Sequence, residues 1–342
     1  RRLIHASADI MRRAYDGALP ADELLQMAER QVFDIAQAKH VGQAHHVSEV
    51  LPLAFDRLHF RSEHSGQSLT GVPTGFIELD ELTCGLQNSE LVIIAARPSV
   101  GKTALALNIA QYVAVEENKG VLIVSLEQSK VELAERLLCS LARFDGHKLR
   151  SGRVSSKDIR HLMDTAERLR PAPLFVDDTP GRNMLQIAAT ARRLKMRNDI
   201  RLVIVDYLQL IDADNPRDSR QEQIAQISRR LKLLARELQV PVLALSQLNR
   251  ASELREDRRP RLADLRESGA IEQDADVVML LHRTQADQDQ SQEQGQRAAE
   301  VIEVIVAKQR NGPIGKVKLT FLKNYTRFET YARVPEPSAV PF

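Results

Sequence analysis

The run Leu91-Val92-Ile93-Ile94-Ala95-Ala96-Arg97-Pro98-Ser99-Val100-Gly101-Lys102-Thr103 decides the fold. Its first six residues are apolar without alternation, the pattern of a strand buried on both faces of a parallel sheet. Residues 102–117 then read as an amphipathic helix, with Gly101 at the junction. Strand, glycine-bearing loop and helix in that order form the context of a phosphate-binding loop. Backbone N–H groups and the helix N-terminus cradle phosphates there. Lys102 is expected to reach the β- and γ-phosphates of ATP, and Thr103 to ligate Mg²⁺. The phosphate-binding set is Ser99, Val100, Gly101, Lys102, Thr103 and Ala104. The strict motif opens on Gly where this chain has Ala96. Lys102 is expected to be solvated until phosphate arrives.

On either side of this run the same grammar repeats. Strands are predicted at 121–126, 173–176, 202–205, 242–246 and 277–281, and helices at 129–144, 155–170, 184–197 and 220–239. Short β-branched runs alternating with long amphipathic helices give an α/β fold with a mostly parallel central sheet covered by helices. Runs 301–307 and 317–322, joined through Asn311-Gly312-Pro313, read as an antiparallel hairpin. Residues 284–297 hold six glutamines and almost nothing apolar, the composition of a surface loop. Upstream, residues 1–40 show helical periodicity broken at Asp16-Gly17-Ala18-Leu19-Pro20, as in a helical hairpin. Residues 47–61 form a further amphipathic helix carrying Val50, Leu51, Ala54, Phe55 and Leu58 on one face, followed by a loop at 62–75. The expected division is therefore 1–46 hairpin, 47–75 linker helix and loop, 76–334 main domain, and 335–342 disordered tail with three prolines.

Carboxylates and amides stand where the strands end. In a parallel sheet those ends face the ligand crevice. Asp206 ends one strand and is expected to hold the metal together with Thr103. Glu127 follows another and can polarise an attacking water; Gln247 ends a third and can sense the γ-phosphate. A basic segment follows: Arg250, Arg255, Arg258, Arg259, Arg261 and Arg266, leading into Arg266-Glu267-Ser268-Gly269. Several guanidinium groups with a Gly for close approach suit the phosphates of a nucleic-acid strand. Lys308 and Arg310 lie near the tip of the late hairpin. With that hairpin at the far edge of the sheet they cannot reach their own phosphate loop, so delivery to a neighbouring subunit's nucleotide explains them better.

Composition excludes other classes. The chain carries 48 Lys and Arg against 46 Asp and Glu, so nucleic-acid binding must come from local patches. Trp is absent and aromatics make up 4%, which argues against base-stacking platforms. Cys84 and Cys139 build no disulfide framework and no zinc ribbon, consistent with a reducing, cytoplasmic setting. The five histidines between His40 and His64 match no zinc spacing. No apolar run reaches about 18 residues, so no membrane span is expected. The chain begins at Arg1, which suggests a fragment of a longer protein.

Taken together, the phosphate loop, Ser125-Leu126-Glu127, Val205-Asp206-Tyr207-Leu208-Gln209-Leu210, Ala244 to Arg250, Asp264 to Asp276 and Ala307 to Pro313 resemble the bacterial replicative DNA helicases of the DnaB type. The resemblance runs from about Val47 to Phe328, and Gly71 to Phe76 with Leu79-Asp80 match the segment leading into that family's motor domain. It implies a RecA-like ATPase core, preceded by a helical hairpin and a linker helix that docks on the neighbouring subunit. It also implies a hexameric ring around single-stranded DNA that moves 5′→3′ on ATP hydrolysis, with Mg²⁺ as cofactor. Glu127 is then the catalytic carboxylate, and Arg136 an arginine supporting the nucleotide site. Arg266, Glu267 and Gly269, with Arg250 nearby, belong to the DNA-tracking element, and Lys308 and Arg310 form the pair that reaches the neighbour's phosphates. A helicase loader and other replisome proteins are implied partners, in the cytoplasm at the nucleoid. Residues 1–40 resemble only the closing hairpin of the family's primase-binding collar, so primase binding is not carried over. Two other readings stay open on the residues alone: a recombination ATPase of the same core fold, and a nucleotide-dependent clamp or scaffold.

Overall fold

The structure, a computed structural model, describes residues 2–17, 20, 21, 23–25, 27, 28, 31, 46–63, 69–249, 255, 259–265, 269–283 and 299–331. The chain divides into two compact units, Arg1–Ser68 and Leu69–Phe342. The second takes in residues 69–75, which the sequence reading gave to the linker loop; Val72 and Thr74 are buried there, and Val72 bridges to Leu86.

In the first unit, helix Arg2–Asp16 stops at Gly17, whose φ of +61° turns the chain. Helical bonding restarts as Leu24 N–H donates to the Pro20 carbonyl, and Gln31 Nε2 donates to Asp9 Oδ2 at 3.1 Å. Helix Val47–Glu63 contains Pro52 and leaves Val50, Leu51 and Phe55 exposed.

The second unit is built on a nine-stranded sheet. Its strands are β1 Leu91–Ala96, β2 Gly120–Ser125, β3 Leu174–Asp177, β4 Ile200–Asp206, β5 Val242–Gln247, β6 Val277–Arg283, β7 Ala299–Gln309, β8 Gly315–Leu322 and β9 Arg327–Thr330. They lie in the order β3-β2-β4-β5-β1-β6-β7-β8-β9, with β1 to β6 mutually parallel and β7 to β9 antiparallel. Every residue of β1 and β2 is buried. Alternate residues feed two cores: Val92, Ile94 and Ala96 face one layer of helices, and Leu91, Ile93 and Ala95 the other. Four covering helices start on reciprocal caps, Ser129 with Glu132, Ser155 with Asp158, Asn183 with Gln186 and Ser219 with Glu222. Each such cap contributes about 1 kcal/mol and sets where the helix leaves the strand-end loop.

Further details depart from the sequence reading. The helix after the phosphate loop is α-helical only over Lys102–Gln111 and continues as a π-turn over Tyr112–Glu116. β9 was not foreseen. The hairpin of β7 and β8 is not at the far edge of the sheet from β1, because only β6 separates β7 from it.

Candidate nucleotide site and its flanking elements

The register brings four strand ends together. Ala96 pairs with Gln247, and Ser125 with Asp206, so the phosphate loop, Glu127, Asp206 and Gln247 leave the same edge of the sheet. The loop between Ala96 and Lys102 bends through Ser99 at φ +66° and Gly101 at φ +105°. A Cβ on Gly101 would meet Phe328 Cζ at 2.9 Å and Cε2 at 3.0 Å, so the loop rests directly on that ring. Phe328 stacks on Phe321 with centroids 4.5 Å apart, and both rings are buried. Arg97 pins the loop's other end by donating to the Leu248 carbonyl at 3.0 Å, while Leu248 N–H donates to the Ala96 carbonyl.

Lys102 is not solvated. Its side chain is 14% exposed, with Nζ 3.8 Å from Asp206 Oδ1 and 4.4 Å from the centre of the Tyr207 ring. Burial pulls its pKa below the usual lysine value, against the upward pull of Asp206 and Glu127. The ammonium is therefore desolvated in advance, which strengthens its attraction for an incoming phosphate. Thr103 Oγ1 donates to Asp206 Oδ2 at 2.8 Å. Asp206 is 3% exposed, and its Oδ1 is buried with no hydrogen-bond donor among the described residues. A buried carboxylate oxygen without a donor, beside a threonine hydroxyl, is a hard-oxygen pair that fits Mg²⁺. That ion completes its shell with waters and nucleotide phosphates rather than with a cage of protein ligands. Glu127 is exposed just past β2, and Gln247 is half-buried beside the start of the loop. Arg136 is half-buried on helix Lys130–Ala142, which follows Glu127 directly.

Two arginines of the basic segment, which the sequence reading offers to nucleic-acid phosphates, are already paired within the chain. Arg255 pairs with the buried Asp264 and donates to the Arg259 carbonyl at 3.0 Å, and Arg259 pairs with Glu303. These two are held by the protein's own carboxylates. Arg250, Arg266 and Glu267 lie outside the described residues. Gly269 opens the short helix Gly269–Asp274, and a Cβ there would meet nothing within 4 Å among the described residues.

Lys308 and Arg310 converge on the C-terminal end of that helix. Lys308 donates to the carbonyls of Glu272 and of Ala275, the latter at 2.7 Å; Arg310 donates to the Gln273 carbonyl and lies 3.3 Å from Asp276 Oδ1. Burial and the adjacent Arg310 charge lower the Lys308 pKa. Asp276 N–H donates to the Leu91 carbonyl, so this group sits at the start of β1. At about 3.3 Å per residue, β1 puts roughly 17 Å between it and the phosphate loop. The separation runs along the strands, not across the sheet as the sequence reading assumed.

Sequence reasoning missed Tyr207, Phe321, Phe328 and Arg283, whose Nη2 donates to the Ser99 carbonyl at 3.2 Å. Only the adjacency of Tyr207 to Asp206 could have suggested any of them.

Residues 71–330 match the model of the DnaB-like helicase C terminal domain. The replicative DNA helicase DnaB of Geobacillus stearothermophilus is 42% identical over 342 residues, covering 100% of this chain and 74% of that protein. The replicative DNA helicase DnaB of Pasteurella multocida is 41% identical over 339 residues, 97% of this chain and 72% of that protein. Among solved structures, a DnaB-like replicative helicase described with its interactions with primase superposes with a TM-score of 0.79 at 35% identity, over 96% of this chain and 75% of that one. A second solved structure, described as an ATPase domain, gives a TM-score of 0.77 at 38% identity, over 85% of this chain and 100% of that one.

Proposed function

This chain belongs to the DnaB-like replicative DNA helicases, and from that premise we propose how its residues divide the work of ATP-driven unwinding. It is an ATP-dependent helicase motor that binds DNA and oligomerises. Our reading is that it forms a hexameric ring around single-stranded DNA and moves 5′→3′ as each site hydrolyses ATP. The observation that carries the assignment of residues is the desolvated Lys102 ion-paired with Asp206 Oδ1, an oxygen with no hydrogen-bond donor among the described residues, at the foot of a phosphate loop.

The backbone N–H groups of the loop and the N-terminus of helix Lys102–Gln111 receive the phosphates, and Lys102 exchanges Asp206 for the γ-phosphate. Thr103 and Asp206 would hold Mg²⁺, which when bound supplies neutralisation of charge on the β- and γ-oxygens. Glu127, exposed at the crevice, orients and deprotonates the attacking water. Gln247 touches the γ-phosphate and reports its loss to the segment that follows β5. Lys308 and Arg310, about 17 Å along β1 from their own loop, serve the neighbouring chain's nucleotide and stabilise charge as it develops. Arg266, Glu267 and Gly269 track the DNA backbone with Arg250 nearby, and the openness around Gly269 supports close approach of a strand. Arg136 steadies the nucleotide site from helix Lys130–Ala142. The exposed Val50, Leu51 and Phe55 of helix Val47–Glu63 pack on the neighbouring subunit, as a linker helix between the hairpin and the motor. A loader and other replisome proteins are partners in the cytoplasm, at the nucleoid.

The test uses forked duplexes with a single 5′ or 3′ tail, in ATP and Mg²⁺. Unwinding from the 5′ tail alone is expected. Pairing of homologous strands, or unwinding from the 3′ tail, would overturn the reading.

A further inference from the structure

A second polar cluster reaches the phosphate loop from the side of β6, and none of the steps above uses it. β6 is parallel to β1, so its last residues come level with the loop. Arg283 closes β6 and donates through Nη2 to the Ser99 carbonyl at 3.2 Å. Its Nε lies 3.0 Å from Oε2 of Glu300, the second residue of β7. Glu300 is 4% exposed, and its other oxygen pairs with Lys323. A carboxylate so buried persists only when cations compensate it. Glu300 thus has a fixed place, and it holds the Arg283 guanidinium beside it by charge, as an ion pair whose Nε and Oε2 do not meet in hydrogen-bond geometry.

The acceptor gives the cluster its meaning. Ser99 stands at φ +66°, a conformation that costs a residue bearing a Cβ about 1–2 kcal/mol. Something outside the loop must hold it there, and the carbonyl on Ser99 is the group Arg283 grips. A loop already bent to receive phosphates loses less freedom on binding them, and that saving appears as affinity. We propose that Arg283, oriented by the buried Glu300, is a positioning residue that holds the phosphate loop in its nucleotide-receiving conformation. The proposal rests on the loop being the nucleotide site. Arg283 touches no reacting atom, so its contribution belongs to nucleotide affinity and not to turnover.

Kinetics of DNA-stimulated ATP hydrolysis separate the two. Arg283→Gln should raise KM for ATP about tenfold, the size of one lost charge-assisted hydrogen bond, and leave kcat within about twofold. Lys323→Gln weakens the same buried carboxylate without any bond to the loop among the described residues. It should lower the melting temperature as much as Arg283→Gln while leaving KM unchanged. Should Arg283→Gln not fold, Arg283→Lys keeps the charge beside Glu300, but its single compact ammonium cannot lie against that carboxylate and also reach the Ser99 carbonyl as the guanidinium does; KM is then expected to rise about threefold. Wild-type KM in the folded Arg283 variant, a fall in kcat alone, or an equal rise of KM in Lys323→Gln would each overturn the proposal. Lys102→Ala serves as reference: if it retains nucleotide, the site assignment itself fails. If it loses nucleotide while Arg283→Gln binds normally, only the positioning role fails.

Discussion

Gly101→Ala tests the phosphate loop as a piece of packing. Gly101 sits at φ +105°, where an L-residue pays about 1–3 kcal/mol in backbone strain. The added Cβ would also fall 2.9 and 3.0 Å from two atoms of Phe328 and 3.4 Å from Phe321 Cε1. Those rings are 3% and 5% exposed and stacked on each other, so neither has free space to yield. Overpacking of this kind costs about 1–3 kcal/mol, giving a total of about 2–6 kcal/mol. For a large domain this lowers the melting temperature by roughly 5–20 °C.

Two responses are open to the variant, and a melting curve with an ATP titration distinguishes them. If the loop stays and the rings move, stability falls by the full amount and nucleotide affinity survives. If the loop lifts away from Phe328, stability falls less and nucleotide binding is lost. Phe328→Leu added to Gly101→Ala relieves the collision but not the strain. The double variant should therefore be less destabilised than the two single effects added together, by about 1–2 kcal/mol of favourable coupling. A Gly101→Ala protein that melts with the wild type and binds ATP normally would refute both the contact and the assigned conformation.

The remaining tests address chemistry and assembly. Lys102 has a pKa depressed below its ordinary 10.5, so between the two values the unfolded chain binds more protons. Stability without nucleotide should therefore rise with pH as it climbs toward 10.5, and Lys102→Met, measured in parallel melts, should lack that slope. Glu127→Gln should bind ATP with near-normal affinity and hydrolyse it about 10²–10⁴-fold more slowly; lost affinity with an intact saturated rate would remove Glu127 from the reaction. Arg310→Ala and Lys102→Ala should each abolish hydrolysis alone. When mixed into verified mixed oligomers they should restore roughly a quarter of the interfaces, if packing is cyclic and head-to-tail; no recovery would place Arg310 in cis.

The strand ends were legible because a parallel sheet gives its residues a position as well as a conformation. Asp206 and Gln247 each close an apolar run, and a run of that kind can only be a buried strand whose end opens on the crevice. What the sequence withheld was everything decided by neighbours in space. Lys102 looked solvated because its partners, Asp206 and Tyr207, are about a hundred residues away. Arg259 reads as a phosphate ligand because the carboxylate that holds it, Glu303, comes into reach only when the chain folds back along β7; Arg255 is held by Asp264, nine residues away in the same segment, because the turn Leu262–Asp264 brings that carboxylate back to it. β9 escaped notice because Arg327-Phe328-Glu329-Thr330 offers a single apolar residue, yet that residue is the floor of the phosphate loop. The late hairpin is the most instructive case. Sequence alone places its cations far across the sheet from the phosphate loop, whereas only β6 separates β7 from β1. The proposal that they serve a neighbour rests on different ground: β7 runs antiparallel to β6, so its end returns to the start of β1 and not to its finish. Strand direction, which no local pattern encodes, separates Arg310 from its own Lys102 by the length of β1, and it is this separation that supports a site shared between two chains.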